Sequence, residues 1–306
     1  MISVITAYYN SHDFIGKAYD SLKAQSLDSW EWIIVDDGSQ AESLVALRAM
    51  IEGDERVKVL TQENAGQGAA RNLGAKEARG QYLCFLDSDD WFESRKLEKQ
   101  RAYMTDNKAD LCFTAVEGVR MDDCAENFTG MTGFELKRGR EILPALVKSC
   151  LFTLSSVMMT KACFEELGGF SPEKQFRGTE DYELWLRAAT ADMGFACIAE
   201  SLTYYNIRYG SEVRDLIRSY NGTLHAIRPL KNDNDPLVRK LACERSIFLA
   251  GRLIMRAIAA NRISIARHWS EEEPRALFGM SKMLMIADGR VVVVLLNILY
   301  RLKKQL

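Results

Sequence analysis

The chain has 306 residues, 47% hydrophobic and 27% charged, enough for one large domain or a domain with an appendage. A formal net charge of −2 excludes the global basic field of a nucleic-acid binder, so no nucleic-acid partner is expected. Seven scattered cysteines without a CxxC pair argue for reduced thiols and a cytoplasmic setting, and against a disulfide frame or a zinc site.

The first ten residues, "MISVITAYYN", lack the basic start and long apolar core of a signal peptide. Residues 2–9 are β-branched and aromatic and predict a buried strand. Over 13–26, Phe14, Ala18, Leu22 and Gln25 fall near helical spacing. A second strand over 30–39 runs into a turn, and a helix over 43–53 stops at glycine. A third strand over 56–62, a helix over 66–80 between glycines and a fourth strand over 81–87 follow. Four alternations with short connections predict an α/β fold on a parallel sheet. In such sheets ligands bind beyond the carboxyl ends of the strands. Three of these ends are polar, Tyr9-Asn10, Asp36-Asp37 and Asp87 to Asp90, and are predicted to converge on one crevice.

Beyond about residue 95 the alternation loosens. Residues 96–116 read as helix then strand, 141–152 as helix, and 155–170 as strand then helix ending at Gly168-Gly169. Thr179 is placed to cap a helix whose first turn holds Glu180 and Asp181. Residues 195–209 give one or two strands, and from 212 onward only helices are predicted. The expected division is a domain over 1–210 and a helical region over 211–306.

Several short stretches carry chemistry. In "DSDD" (87–90), carboxylates at i and i+2 after a strand can share a hard cation such as Mg2+ or Mn2+, or can serve as turn residues bonding the local backbone. In "VDDGS" (35–39), Asp37 can accept from a ring N–H or hydroxyl of a bound base or sugar, or can cap the turn. "NAGQGAARNLG" (64–74) is not the dinucleotide pattern, because Arg71 stands at its third glycine and the stretch follows the third strand. It remains a glycine-rich helix entry suited to an anion. Arg71 offers a fork of donors to a carbonyl or phosphate, or forms a surface ion pair with Glu77 or Asp37. Asp181 is either a general base or a complement to its helix dipole. His12, His225 and His268 show no metal-ligand spacing.

Taken in order, "VITAYYN" (4–10), "IIVDDGS" (33–39), "NAGQGAARNLG" (64–74), "FLDSDDW" (85–91), "GGF" (168–170) and "EDYELWLR" (180–187) resemble the family-two inverting glycosyltransferases with the GT-A fold. The resemblance covers about residues 1–210 and implies a Rossmann-like mixed sheet flanked by helices, followed here by a helical appendage. It implies a nucleotide diphosphate sugar donor, most often uridine-linked, and a glycan or lipid-linked glycan acceptor. By resemblance Asp89 is the ligand of Mn2+ or Mg2+, and Asp87 holds the donor sugar or ribose. Ala7 and Tyr9 line the base pocket, Asp37 and Arg71 contact the base, Asp181 is the catalytic base and Glu180 shapes the acceptor side. The chain departs from the pattern at Ala7, where many relatives carry proline, and in "YYNIRYGS" (204–211), where Asn206 and Arg208 stand in a Tyr-Arg-x-His stretch. Arg208 in place of that histidine keeps open a second expectation, a nucleotide-sugar-binding scaffold. A phosphatase using a DxD pair would need that pair on the first strand, and it is not there. The final residues, 289–306, are apolar and then basic and too short to span a bilayer. They are expected either to pack internally or to touch the cytoplasmic face of the inner membrane through Arg301, Lys303 and Lys304.

Overall fold

The computed structural model describes residues 1–120, 125–127, 133–207 and 216–276. The chain divides into two compact units, Met1–Glu212 and Val213–Leu306.

In the first unit, β1 (Ile2–Tyr8), β2 (Trp30–Asp36), β3 (Val57–Thr61) and β4 (Tyr82–Phe85) run parallel in the order β3-β2-β1-β4. Their connections are α1 (Ile15–Lys23), α2 (Ala41–Met50) and α3 (Gln67–Glu77). These are the seven elements that the alternation predicts. Every residue of β2 is buried, as a central strand covered on both faces requires. The edge strand β3 is only half-buried. Helix α3 lies close against the sheet: a Cβ on Gly74 would sit 2.7 Å from Ile5 Cγ2, so glycine is what permits this approach.

Among the described residues the rest of the unit extends the sheet to ten strands and makes it mixed. After β5 (Trp91–Phe92) and α4 (Lys96–Asn107), β6 (Leu111–Arg120) adds a long strand, edged by β7 (Ala125–Asn127). Next come β8 (Phe134–Arg138) and α5 (Gly139–Lys148). Then β9 (Val157–Thr160) enters between β4 and β6, antiparallel to both. α6 (Lys161–Glu166) and α7 (Glu180–Thr190) lead to β10 (Gly194–Ile207), parallel to β6. β10 is a single strand with register shifts at Ile198/Ser201 and Ser201/Thr203. Such irregularities bend a strand without ending it, so the sequence left one or two strands open. Thr179 does occupy the N-cap position of α7, but makes no cap: its hydroxyl donates instead to the Phe176 carbonyl at 3.2 Å.

Buried polar contacts tie the carboxyl ends of the central strands together. Trp32 Nε1 donates to Thr6 Oγ1 (2.9 Å), and Thr6 Oγ1 donates to the Leu86 carbonyl (2.8 Å). The backbone of Leu86 also donates to Ile5 (3.0 Å) and that of Asp37 to Tyr8 (2.8 Å).

The described part of the second unit is helical, as expected: α8 (Leu216–Ile227), α9 (Pro236–Ala259) and α10 (Ile263–Glu272). Asp235 caps α9, accepting from the Leu237 N–H at 2.7 Å, with proline in the first turn. Trp269 of α10 packs edge-on against His225 and donates from Nε1 to Asn221 at 2.8 Å. Among the described residues no helix is long and apolar enough to cross a membrane. Arg208 and the tail with Arg301, Lys303 and Lys304 lie outside the described residues.

Candidate active site

The order β2-β1-β4 brings the three polar strand ends side by side. Ala7 is half-buried near the end of β1, and Tyr9, just past it, is 53% exposed. At the end of β2 and just past it the two aspartates divide the work. Asp36 accepts from the Ser39 N–H (3.1 Å) and shapes the turn. Asp37 is buried and accepts from Gln62 Nε2 (2.7 Å) and from the backbone N–H groups of Ala65 (2.8 Å) and Gly66 (2.9 Å). Those three donors occupy most of the carboxylate's roughly four acceptor directions. Asp37 therefore fixes the loop that opens α3, whose Gly66 has φ +94°. Arg177 reaches the same loop, donating to the Ala65 carbonyl at 3.1 Å.

Arg71, one turn into α3, is 3% exposed. It donates to Asp87 Oδ1 (2.8 Å), Glu180 Oε1 (2.9 Å) and Gln67 Oε1 (3.0 Å). The surface pairing open in the sequence is not formed: Glu77 pairs with Lys58 at 2.7 Å. Burial alone would lower the Arg71 pKa, but Asp87 and Glu180 outweigh it and hold the guanidinium charged. Gly68 packs next to Glu180 and Phe170, where even a Cβ would make ordinary contact at 3.5 Å. Arg71 thus joins the end of β4 to the start of α7. Glu180 also accepts from the Gly178 N–H at 2.6 Å and is 3% exposed.

Next to Glu180, Asp181 is half-buried and accepts from the Tyr182 N–H at 2.8 Å. Burial and the neighbouring Glu180 push its pKa up to about 6, Asp87 adding to the effect and Arg71 opposing it. A carboxylate near neutrality at a crevice fits a proton acceptor.

The turn after β4 holds more than the sequence disclosed. Asp87 and Asp89 are half-buried, but Asp90 is 1% exposed. Its oxygens accept from Ser155 Oγ (2.6 Å) and the Asn206 N–H (3.0 Å). Burial, then Asp87 and Asp89, push its pKa well above the usual carboxylate range. Tyr205 joins the cluster, its pKa raised by burial and by Asp90, Asp87, Asp89 and Asp181. Ser155 and Tyr205 had no signal in the sequence beyond lying in strand-like stretches.

The "GGF" bend frames the other side. Gly168 and Gly169 both have positive φ, 76° and 72°. Asn72 of α3 clamps Phe170 from both sides, donating to its carbonyl (2.8 Å) and accepting from its N–H (2.9 Å). Arg187 of α7 donates to the carbonyls of Leu167 and Gly169.

Among the described residues no group of three or more His, Cys, Asp or Glu is gathered into a ready metal cage. Asp87 is engaged by Arg71 and Asp90 by Ser155 and Asn206. The half-buried Asp89, with Asp87 beside it, fits a hard cation that takes one or two carboxylates and completes its shell with phosphate oxygens and water.

The glycosyl transferase family 2 model matches residues 3–145. An uncharacterized glycosyltransferase of Methanocaldococcus jannaschii is 30% identical over 213 residues, 68% of this chain and 71% of the relative. A putative teichuronic acid biosynthesis glycosyltransferase of Bacillus subtilis, TuaG, is 39% identical over 123 residues, 40% of this chain and 49% of that one. The chain spans about three-tenths of the length of the Rickettsia relatives it matches. In fold it is similar to S. aureus TarS 1–349 in complex with UDP-GlcNAc, with a TM-score of 0.64 at 19% identity over 95% of this chain and 82% of that one. The expected GT-A architecture is therefore present, and the knot of Arg71, Asp87 and Glu180 joins stretches that the resemblance had only placed in order. On the strength of a relative aligned over more than two-thirds of both chains, this protein belongs to glycosyltransferase family 2.

Proposed function

We propose that the chain is an inverting glycosyltransferase that moves a hexosyl group from a uridine diphosphate sugar to an acceptor hydroxyl of a bacterial surface glycan. The observation that carries this is Asp181: a half-buried carboxylate with its pKa raised to about 6, beside Glu180, which Arg71 bridges to Asp87 at the end of β4. The acceptor oxygen attacks the anomeric carbon, its proton passes to Asp181, and the bond to the nucleoside diphosphate breaks. Inversion follows from a single displacement. A Mn2+ or Mg2+ ion held by Asp89 would supply charge stabilisation for the leaving diphosphate. Asp87 contacts the donor's sugar or ribose, and the backbone of Ala7 and the ring of Tyr9 line the base pocket. Asp37 shapes the base side through the loop that it fixes. Arg71 holds Asp87 and Glu180 in register, and Glu180 in turn sets the start of α7 on the acceptor side. The uridine assignment is supported by the UDP-GlcNAc bound to TarS, and the surface-glycan assignment by the teichuronic acid role printed for TuaG. A lipid-linked acceptor places the protein at the cytoplasmic face of the membrane, with the basic tail as its peripheral contact.

The test is Asp181→Asn. Transfer from a uridine diphosphate sugar should fall by at least about 100-fold, with nucleotide affinity preserved. A variant that transfers at near the parent rate removes Asp181 from the mechanism. A screen of nucleotide sugars for donor hydrolysis identifies the sugar.

A further inference from the structure

The turn after β4 is held by a relay that crosses three segments of the fold. Asp90 Oδ2 accepts from Ser155 Oγ at 2.6 Å, and Asp90 Oδ1 accepts from the Asn206 backbone at 3.0 Å. Ser155 is fully buried, and its Oγ also accepts from the Asp87 N–H at 3.1 Å. A turn aspartate normally bonds backbone within two or three residues of itself. The partners of Asp90 are instead 65 and 116 residues away, in the short 3-10 turn before β9 and near the end of β10. The turn's own bond, Asp90 N–H to the Asp87 carbonyl at 3.1 Å, closes the loop. Asp89 therefore lies between two fixed points: the Asp87 backbone and the Asp90 carboxyl, both bonded to one hydroxyl.

We propose that Asp90 and Ser155 are positioning residues, a buried relay that sets the direction in which Asp87 and Asp89 face the donor diphosphate and its cation. This rests on the donor reading given above. Groups that orient a ligand without touching the cation change its affinity by about 10- to 100-fold when removed.

The experiment uses the full chain and two probes, Mn2+ and uridine diphosphate. Amide hydrogen exchange is followed without ligand, and the Mn2+ concentration for half-maximal uridine diphosphate binding is measured by calorimetry. In Ser155→Ala and Asp90→Ala, the Asp87–Asp89 amides should exchange faster while β1 and β2 keep their protection. The Mn2+ requirement should rise about tenfold or more. Asp90→Asn retains a carbonyl for Asn206 and an amide for Ser155, so it should restore turn protection and most of the Mn2+ affinity lost in Asp90→Ala. Unchanged exchange in Ser155→Ala, or faster exchange without a Mn2+ shift, overturns the proposal. If the alanine variants do not fold, Asp90→Asn decides. A protected turn with a lost Mn2+ response would make Asp90 a ligand and not a positioner. A parent chain without Mn2+-dependent uridine diphosphate binding refutes the donor reading, while the exchange comparison still decides whether the relay holds the turn.

Discussion

Asp181 sits in an environment that works against its own charge. Its pKa, about 6, lies above the roughly 3.9 of a free aspartate, so its ionised form is disfavoured by folding. The sign follows directly. With Asp181 protonated in both states, below about pH 4, the group costs nothing; as pH rises through about 6 the folded state carries a strained charge. Asp181→Asn should therefore be more stable than the parent at pH 8, by on the order of 1 kcal/mol after allowance for solvent screening of a half-buried group. The advantage should vanish near pH 4, which urea midpoints at the two pH values will show. The same pKa predicts that transfer rises tenfold per pH unit below about 6 and levels above it, in a pH–rate profile under saturating substrates. Asp37 gives the opposite case. Removing its carboxylate in Asp37→Ala strands the Ala65 and Gly66 N–H groups and should cost about 2–3 kcal/mol in denaturant unfolding. Asp37 and Asp181 were legible as candidates because one follows a recognisable strand and the other lies in the first turn of a recognisable helix. Asp90 was not, because its meaning lies in partners far along the chain, and a run of aspartates reads equally well as a turn.

At the level of elements, α3 is the common brace. Arg71 reaches β4 and α7, Asn72 clamps Phe170, and Gly74 lets the helix lie on β1. Consecutive residues thus serve two different neighbours, as helical geometry requires of adjacent positions. Gly74→Ala forces a methyl onto Ile5 and should cost about 1–3 kcal/mol, read from thermal or urea unfolding. The alternation of β1 to β4 with α1 to α3 was readable because buried parallel strands are continuous apolar runs and their connections are short. The position and direction of β9 were not readable. Its four residues are apolar and strand-like whichever neighbour they join, and only the pairing with β4 and β6 makes it antiparallel. The capping expectation for Thr179 failed for a related reason. A cap residue is defined by where its hydroxyl points, and the Phe176 carbonyl lies nearer to hand.

Across the whole molecule the near-zero net charge conceals a division. The first 212 residues carry 23 Lys and Arg against 34 Asp and Glu, a formal −11, while Val213–Leu306 carries 17 against 8, a formal +9. On the helical unit, Arg252 stands over the 49%-exposed ring of Phe248, and Arg256 over Tyr220. Each basic side chain near an anionic bilayer contributes about 1 kcal/mol, screened by salt. The chain should therefore sediment with phosphatidylglycerol vesicles at low ionic strength and be released as salt is added. Neutral phosphatidylcholine vesicles should leave it in solution. The insertion of β9 between β4 and β6 has a further consequence, one for synthesis. β4 ends at Phe85, but the strand that covers its edge begins at Val157, and Asn206 comes later still. At about 5–20 residues per second, the emerging β4 waits roughly 4–15 s for its neighbour. Throughout that interval the aspartate turn has neither Ser155 nor Asn206 to hold it. Ribosome-bound chains that end before β9 would present the half-sheet with the β4 edge open, a natural target for chaperones. The aspartate turn is therefore among the last parts of the unit to acquire its full set of hydrogen bonds.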